Sequence, residues 1–389
     1  MDLCLRGGRV VLPDRVAAGH SVWVADGHVV TVAPDGAIEA GPGVTVVDVT
    51  GRLVGPGFVD LLCHGGGGVW TTEDPVAASD YHLAHGTTSM LAATALLATH
   101  EENLRAVATI ADAVAAGRTR NVEGIHMEGP YLNPDFGAYR EWSRLPVREE
   151  YLGFVDAARG LLRTMTIAPE LEGAAGLVHG LQEATGGRMV FSVGHSRATR
   201  HQIEALVPGG LRLATHLMNA SGANPDPARY AGTREVGVDE AVLLDDGMWA
   251  AVIADAAGRH VRPDLVRLIV KVKGADRVVA VTDCTAAHGA PVGGASGGPE
   301  DINYNDRGEI AGSALTMDAA VANLARHADL PVETAWRMAS HNPAAALGLL
   351  DRVGQLLPGR RANIVVADDD LIVEQVWLDG VLIDRGQRA

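Results

Sequence analysis

The fold is decided by two neighbouring runs of sequence, RMVFSVGHS at residues 188–196 and LRLATHLMNA at residues 211–220. Each is a short apolar, β-branched segment that stops at a histidine, His195 or His216. Between them, residues 198–207 have helix-forming composition and end at Pro208-Gly209-Gly210, a helix stop signal. Strand, helix and strand in this order predict a βαβ unit of a parallel sheet, with both imidazoles at the carboxyl ends of strands. In α/β barrels that end of the sheet carries the chemistry.

Further strand-like runs extend this pattern along the chain. With the two above, they lie at about residues 54–62, 86–93, 121–128, 163–168, 188–193, 211–215, 249–254 and 277–282. Helical patterns separate several of them, for example at 101–116 and 263–273, and two more helices are expected at 315–327 and 331–339. About eight strands with helical crossovers predict a TIM (β/α)8 barrel. A glycine-rich segment at 293–298 is expected to form a flexible loop near the barrel mouth.

The two ends of the chain predict a second, smaller unit. Residues 21–32 contain two short strands around Asp26-Gly27, and residues 373–383 repeat the pattern around Asp379-Gly380. Both are β-hairpin signatures, and neither terminal piece is large enough to bury a core alone. We therefore expect residues 1–52 and 350–389 to form one small β-sandwich domain, with the barrel over residues 53–349.

Length and composition limit the classes of protein. The chain has 389 residues, a hydrophobic fraction of 47% and a formal net charge of −16. These values fit a soluble α/β enzyme and argue against nucleic acid or an anionic membrane as a partner. The three cysteines are too few and too scattered for a disulfide framework, so a cytoplasmic location is expected. We identify neither a signal-peptide core in residues 1–6 nor an apolar run that would span a bilayer.

Polar side chains at the ends of the predicted strands indicate a metal site. Glu128 ends the third strand, Asp283 follows the eighth, and His195 and His216 follow the fifth and sixth. One glutamate and two histidines are suitable ligands for a zinc-like divalent ion, with one coordination position left for water. Such an ion acidifies water and polarises a carbonyl. Asp283 would accept the proton of the water and return it to the leaving group.

Other candidates near this site have less support. His126 points to the same side of its strand as Glu128, and it either supports the site or has a structural role. Cys63 and Cys284 are interpreted as small buried hydrophobic residues.

The chain resembles the N-acetylglucosamine-6-phosphate deacetylases of the amidohydrolase superfamily. The resemblance runs nearly end to end and rests on the order of its motifs. They are PGFVD at 56–60, HMEGP at 126–130, APE at 168–170, GHSRAT at 194–199, THLMNA at 215–220, TD at 282–283, GSALTM at 312–317 and NPA at 342–344. The resemblance implies a metal-dependent enzyme that releases acetate from an N-acetyl amino sugar 6-phosphate. It also implies a homodimer in which each subunit reaches into the active site of its neighbour.

The resemblance assigns a role to each matching position. The metal ligands of the family fall on Glu128, His195 and His216, and its catalytic acid/base falls on Asp283. The pair that holds the sugar falls on Asn219 and Ala220. Two phosphate contacts fall on His260 and on Arg234, which the family supplies from the partner subunit. A guanidinium and an imidazolium suit this role because charge-assisted hydrogen bonds to oxyanions are strong.

The sequence departs from the family pattern where the substrate would be recognised. Amidohydrolases with two metals carry His-x-His at the end of the first strand, whereas this chain has Leu62-Cys63-His64. Leucine cannot bind a metal, so we expect one ion, most simply Zn2+, with His64 on the substrate side of the site. A Gly-x-His that touches the substrate in the family is Gly137-Ala138-Tyr139 here. Tyr139 keeps a hydrogen-bonding group but not the positive charge.

Three alternatives remain open on the sequence alone. The first is the same chemistry on another N-acetyl sugar, with or without phosphate, or on a small amide. The second is cyclic-amide hydrolysis of the dihydroorotase type, which usually needs two metals and a bridging lysine. The third is a catalytically inactive barrel that acts as a binding protein. The retention of Glu128, Asp283 and both histidines argues against this alternative.

Overall fold

A computed structural model describes residues 2–95, 97–221, 233, 235–286 and 301–385. Its centre is a barrel of eight parallel strands, in which each strand pairs with the barrel strand that precedes or follows it in the sequence. The barrel closes where the Asp283 amide donates to the Leu62 carbonyl (2.9 Å) and Cys63 pairs with Cys284. The predicted TIM barrel is therefore confirmed. Its strands are Phe58–Cys63, Thr87–Thr94, Val122–Glu128, Leu162–Ile167, Val190–Val193, Leu211–Ala214, Trp249–Ile253 and Val278–Val281.

Helices surround the barrel, and three of those described begin at a side-chain cap, formed by Asp74, Thr99 or Thr199. Arg200–Leu206, the helix that follows His195, starts with a capping box in which Thr199 and Gln202 satisfy each other's backbone amides. It ends as predicted, with the turn Val207–Gly209 followed by Gly210 at a φ of 101°. The other helices are Pro75–Ala84, His100–Ala115, Arg148–Ala158, Ala174–Thr185, Val238–Leu244, Pro263–Lys273, Met317–Ala328, Val332–Met338 and His341–Ala346, with short 3-10 turns at Arg140–Trp142 and Ala275–Arg277. Within the described ranges, none of the helices combines the length and apolar character needed to cross a membrane.

The two chain ends share one sheet of eight strands, as the sequence predicted. Ile364–Ala367 pairs antiparallel with Leu53–Pro56, which in turn pairs parallel with Leu3–Val11. The sheet curls so that its edge strand, His28–Pro34, approaches the chain just before Ile364–Ala367. There the Val29 amide donates to the Arg360 carbonyl (2.8 Å). The remaining strands are Val16–Ala25, His28–Pro34, Thr45–Asp48, Val373–Leu378 and Val381–Leu382.

The prediction of a single strand over residues 54–62 was wrong. The chain forms two strands there: Leu53–Pro56 belongs to the terminal sheet and Phe58–Cys63 to the barrel. The break falls at Gly57, where a Cβ would collide with the Thr88 side chain. Only glycine lets the chain pass this close to the second barrel strand as it moves from one sheet to the other. The terminal sheet thus extends beyond the expected boundary at residue 52.

Alternating side chains join the terminal sheet to the barrel. Val54, Ile364 and Val366 are buried in the small domain's own core, whereas their neighbours Leu53 and Val365 belong to the barrel core. This follows from the two-residue period of a strand, which sends successive side chains to opposite faces.

Two hairpins lie beyond the carboxyl ends of the barrel strands. Gly65–Gly66 pairs with Val69–Trp70 after the first strand, and Ile302–Tyr304 pairs with Ile310–Ser313 after the eighth. The loop predicted at residues 293–298 lies outside the described residues. These hairpins help to form the walls of the site at this end of the barrel.

Candidate metal centre and active site

Three of the predicted ligands meet at one point. Glu128 Oε1 lies 3.0 Å from His216 Nε2 and 3.2 Å from His195 Nε2, and the two imidazole nitrogens are 3.1 Å apart. A tetrahedral zinc ion with bonds of about 2.0–2.1 Å holds its ligand atoms about 3.3 Å apart. The three atoms therefore form one face of a tetrahedron of suitable size. The type and spacing of these donors fit a divalent metal ion.

The backbone at these strand ends is unusual. His195, His216 and Asp283 have φ values of 47°, 31° and 50°, in the left-handed region that non-glycine residues rarely adopt. Such conformations persist only where surrounding contacts enforce them, and they cluster at functional sites. Gly137 shows how tightly the site is covered: a Cβ there would lie 2.5 Å from His195 Nδ1.

A hydrogen bond outside the triangle of Glu128, His195 and His216 donors (the ligand triangle) orients the His216 ring. His216 Nδ1 lies 2.9 Å from the Asn219 carbonyl. Donation to that carbonyl leaves the lone pair of Nε2 for a metal.

Glu170 supports the loop that carries His195. Its carboxylate accepts hydrogen bonds from Ser196 Oγ (2.6 Å), the Arg197 amide (2.8 Å) and Asn133 Nδ2 (2.9 Å). In the sequence, Glu170 belongs to the APE motif at 168–170 but has no predicted role. Its position three residues after the fourth barrel strand was the signal that could have revealed it.

His64 lies nearer the ligand triangle than the sequence suggested. Its Nε2 is 3.0 Å from Glu128 Oε2 and 3.2 Å from Asp283 Oδ1. His64, Glu128 and Asp283 form a second group of possible ligands that shares Glu128 with the first. Leu62, at the position where two-metal amidohydrolases have a histidine, is buried and offers no donor atom.

The buried charges in this cluster stabilise one another. Burial alone would raise the pKa of Glu128, but hydrogen bonds from His195, His216 and His64 hold it well below its usual range. Burial likewise disfavours charge on the imidazoles, yet Asp283 and Glu128 raise the pKa of His64 to about 10, and Glu128 raises that of His216 to about 9. A divalent cation would take the place of these protons, so metal binding and proton release are coupled here.

A second residue that sequence reasoning missed is Asp60, at the base of the Asp283 loop. Its carboxylate accepts hydrogen bonds from Thr282 Oγ1 (2.5 Å) and the Leu62 amide (3.1 Å). Complete burial raises the pKa of Asp60 to about 7, although these hydrogen bonds oppose the shift. The hydrogen bond from Thr282 to Asp60 thus links the first barrel strand to the end of the eighth, one residue before Asp283.

The ligand triangle opens into a cleft at the carboxyl ends of the barrel strands. The cleft is lined by His64, Asn219, Ala220, His260 and Tyr139, all predicted to lie on the substrate side. Residues without a predicted role complete the lining; they are Trp70, Ala95, Gly137, Ala138, Thr285, Ile310, Ala311 and Gly312. Arg234, the predicted phosphate contact from the partner subunit, lies outside the described residues.

His260 is held in a defined orientation. Its Nδ1 lies 3.2 Å from Asp255 Oδ2, and its buried Nε2 has no hydrogen-bond partner in the described part of the chain. Asp255 also accepts from the backbone amides of Arg259 and His260. The unpartnered nitrogen of a cleft-lining histidine is available to a ligand.

The other candidates near the site have structural roles. His126 is buried between the Leu61 carbonyl (2.6 Å from Nδ1) and Thr166 Oγ1 (2.8 Å from Nε2), and burial lowers its pKa to about 4. It is therefore a neutral, hydrogen-bonded part of the barrel interior. Cys63 and Cys284 are buried free thiols that pack with Met90.

Comparison with known proteins connects this geometry to a family. The model of the amidohydrolase family matches residues 53–383. An N-acetylgalactosamine-6-phosphate deacetylase of Escherichia coli O157:H7 is 31% identical, and the match covers 98% of this chain and 99% of that enzyme. An N-acetylglucosamine-6-phosphate deacetylase of Lysinibacillus sphaericus is 28% identical, with 96% of each chain covered.

Solved structures give the same result. N-acetyl-D-glucosamine-6-phosphate deacetylase of Mycobacterium smegmatis superposes with a TM-score of 0.81 at 31% identity, covering 98% of this chain and all of that one. A mutant of that enzyme in complex with N-acetyl-D-glucosamine-6-phosphate superposes with a TM-score of 0.84, covering 98% of each chain.

Proposed function

This chain belongs to the amidohydrolase family, and we propose that it is a metal-dependent deacetylase of an N-acetyl amino sugar 6-phosphate. Water and the N-acetyl group are converted into acetate and the free amine. One observation carries the proposal: the Glu128, His195 and His216 donors meet at one point, and the same cleft holds Asp283. Full-length relatives that act on N-acetylglucosamine or N-acetylgalactosamine 6-phosphate give the substrate class.

We assign a chemical role to each group around the proposed metal site. A divalent ion on the Glu128–His195–His216 face would supply a Lewis acid that polarises the acetyl carbonyl and acidifies the attacking water. Asp283 accepts the proton of that water as it adds to the carbonyl carbon. The same carboxyl then delivers the proton to the amine nitrogen as the C–N bond breaks. His64 lies 3.2 Å from Asp283 and keeps its carboxylate oriented.

Residues away from the reacting bond bind the sugar. Asn219 Nδ2 donates to the His260 backbone carbonyl (3.3 Å), which holds these two cleft-lining residues next to each other. We assign this side, with Ala220, to the amino sugar and its phosphate, and Arg234 of the neighbouring subunit to the phosphate. Tyr139 also lines the cleft, and we assign its hydroxyl to the substrate.

The cofactor and the setting are part of the same proposal. We propose one Zn2+ per chain, a homodimer and a cytoplasmic location; the free thiols of all three cysteines support the location. The dihydroorotase alternative is disfavoured because no lysine lines the cleft in the described ranges. The complete donor set argues against an inactive binding protein.

Acetate release tests the proposed function. We expect turnover of N-acetylglucosamine 6-phosphate or N-acetylgalactosamine 6-phosphate, and much weaker turnover of the same sugars without phosphate. The panel contains both sugars in both forms, assayed with metal-loaded protein. Equal rates with and without phosphate would refute the phosphate requirement, and no release from any member would refute the deacetylase.

Mixing two variants tests the shared site. Arg234→Ala alone should lower affinity for the phosphorylated sugar about ten- to a hundred-fold, because a hydrogen bond to a charged group contributes about 1.5–3 kcal/mol. Asp283→Asn alone should be nearly inactive. In a mixed dimer, the subunit that carries the Arg234→Ala substitution keeps Asp283 and receives Arg234 from its partner.

The assay uses a substrate concentration well below the KM of the Arg234→Ala variant, where that variant is nearly inactive. At equal mixing, half the dimers are mixed and each has one restored site, so about a quarter of wild-type activity should return. Subunit exchange is verified with differently tagged chains. Proven exchange without recovered activity would show that Arg234 does not act across the interface.

A further inference from the structure

We infer that Trp70 and Ala95 form the acyl-binding wall of the cleft and that Trp70 limits the length of the acyl group that is removed. Neither residue had a predicted role. The inference rests on the proposed amide hydrolysis and concerns the half of the substrate that the sugar-binding residues do not contact.

The position of this wall follows from the order of the strands. Trp70 belongs to the hairpin after the first barrel strand, and Ala95 directly follows the second. Asn219 follows the sixth strand, which lies opposite the second in the eight-stranded ring, and His260 follows the seventh, which the eighth separates from the first. Glu128, His195 and His216 come from the ends of the third, fifth and sixth strands and line the same cleft.

An amide bound at the metal has two ends. If its amino sugar lies against Asn219 and His260, its acyl group points to the opposite side, towards Trp70 and Ala95. The chemistry of the two sides agrees with this assignment. A methyl group needs an apolar surface, which an indole ring and a methyl side chain supply, whereas hydroxyls and a phosphate need the polar groups across the cleft.

Hydrogen bonds fix the hairpin that carries Trp70 to its surroundings. Thr71 Oγ1 donates to the carbonyls of His64 (3.0 Å) and Ala93 (2.7 Å), which fixes the hairpin to both strands. On the other side, buried His82 Nε2 lies 2.8 Å from the Gly65 carbonyl. A Cβ on Gly66 would collide with the His82 ring, so the hairpin is packed directly against the helix Pro75–Ala84. With the backbone of the hairpin fixed in this way, the Trp70 indole can yield to a longer acyl chain only by changing its rotamer, and this cost sets the size limit.

The test compares N-acetyl, N-propionyl and N-butyryl forms of the same amino sugar 6-phosphate. The wild-type enzyme should prefer acetyl. Trp70→Ala opens the wall, and each methylene that becomes buried should raise relative kcat/KM about fourfold. The butyryl-to-acetyl ratio should therefore rise roughly 10- to 20-fold. Ala95→Val narrows the same wall and should lower the propionyl-to-acetyl ratio.

Controls separate this role from others. Trp142→Ala removes an aromatic ring that stacks on Tyr139 but does not line the cleft, and it should leave the acyl ratios unchanged. Metal content and thermal unfolding are measured for every variant. If Trp70→Ala does not fold, Trp70→Phe and Ala95→Val provide the same comparison.

Two results would overturn the inference: unchanged acyl ratios in folded, metal-loaded Trp70 and Ala95 variants, or a change confined to the preference between glucosamine and galactosamine substrates. The second would place Trp70 on the sugar. Absence of wild-type acetate release would instead refute the proposed function.

Discussion

Replacing Asp283 with asparagine is expected to lower kcat by about 10²–10⁴-fold, the usual contribution of a general acid/base. The amide keeps the shape of the side chain but cannot accept a proton from water or give one to the departing amine. Asp283 is not part of the Glu128–His195–His216 triangle, so the variant should keep one equivalent of metal. Steady-state kinetics and elemental analysis on one preparation separate the two effects.

An aspartate at the other end of the eighth barrel strand offers a matched control. Asp276 lies just before the eighth barrel strand, at its amino end, and pairs with Arg337 far from the cleft. Asp276→Asn should retain near-normal kcat. If Asp283→Asn also turned over at a near-normal rate, another group would have to be the proton carrier. If it lost its metal, the kinetic defect would not report on proton transfer.

The barrel and the meeting of the candidate ligands could be predicted because both depend on local patterns. Each strand of the barrel is a short apolar run, and parallel topology brings the carboxyl ends of all strands to one face. His195 and His216, separated by a helix in the sequence, therefore had to meet. Glu128 and Asp283 followed from the same rule, and the described structure places all four in one cleft.

Features that depend on contacts between distant segments were not predicted. The break at Gly57 depends on the close approach of Thr88, which no local pattern reveals. Asp60 lies within a strand, and its role depends on a hydrogen bond from Thr282, which is more than two hundred residues away in the sequence. Trp70 belongs to a two-residue strand, Val69–Trp70, whose partner strand is Gly65–Gly66, and glycine gives no strand signal.

Purified protein is expected to hold one tightly bound divalent ion per chain, and Glu128→Gln is expected to hold none. Glu128 is the carboxylate shared by both groups of possible ligands, so its neutralisation weakens each of them. It also removes the anion that stabilises the three surrounding imidazoles. Metal catalysis supplies several kcal/mol of transition-state stabilisation, so activity should fall by about a thousandfold or more.

Variants of single histidines identify which group holds the ion. His216→Asn breaks the triangle alone and should lose the metal, whereas His64→Asn should keep it, because His64 belongs only to the second group. Added Zn2+ should raise the Tm of metal-free wild-type protein and of His64→Asn, since a ligand that binds only the folded state stabilises it. It should leave Glu128→Gln and His216→Asn unchanged. Two equivalents of metal per chain after dialysis, one of them lost in His64→Asn, would instead show that the second group binds an ion despite Leu62.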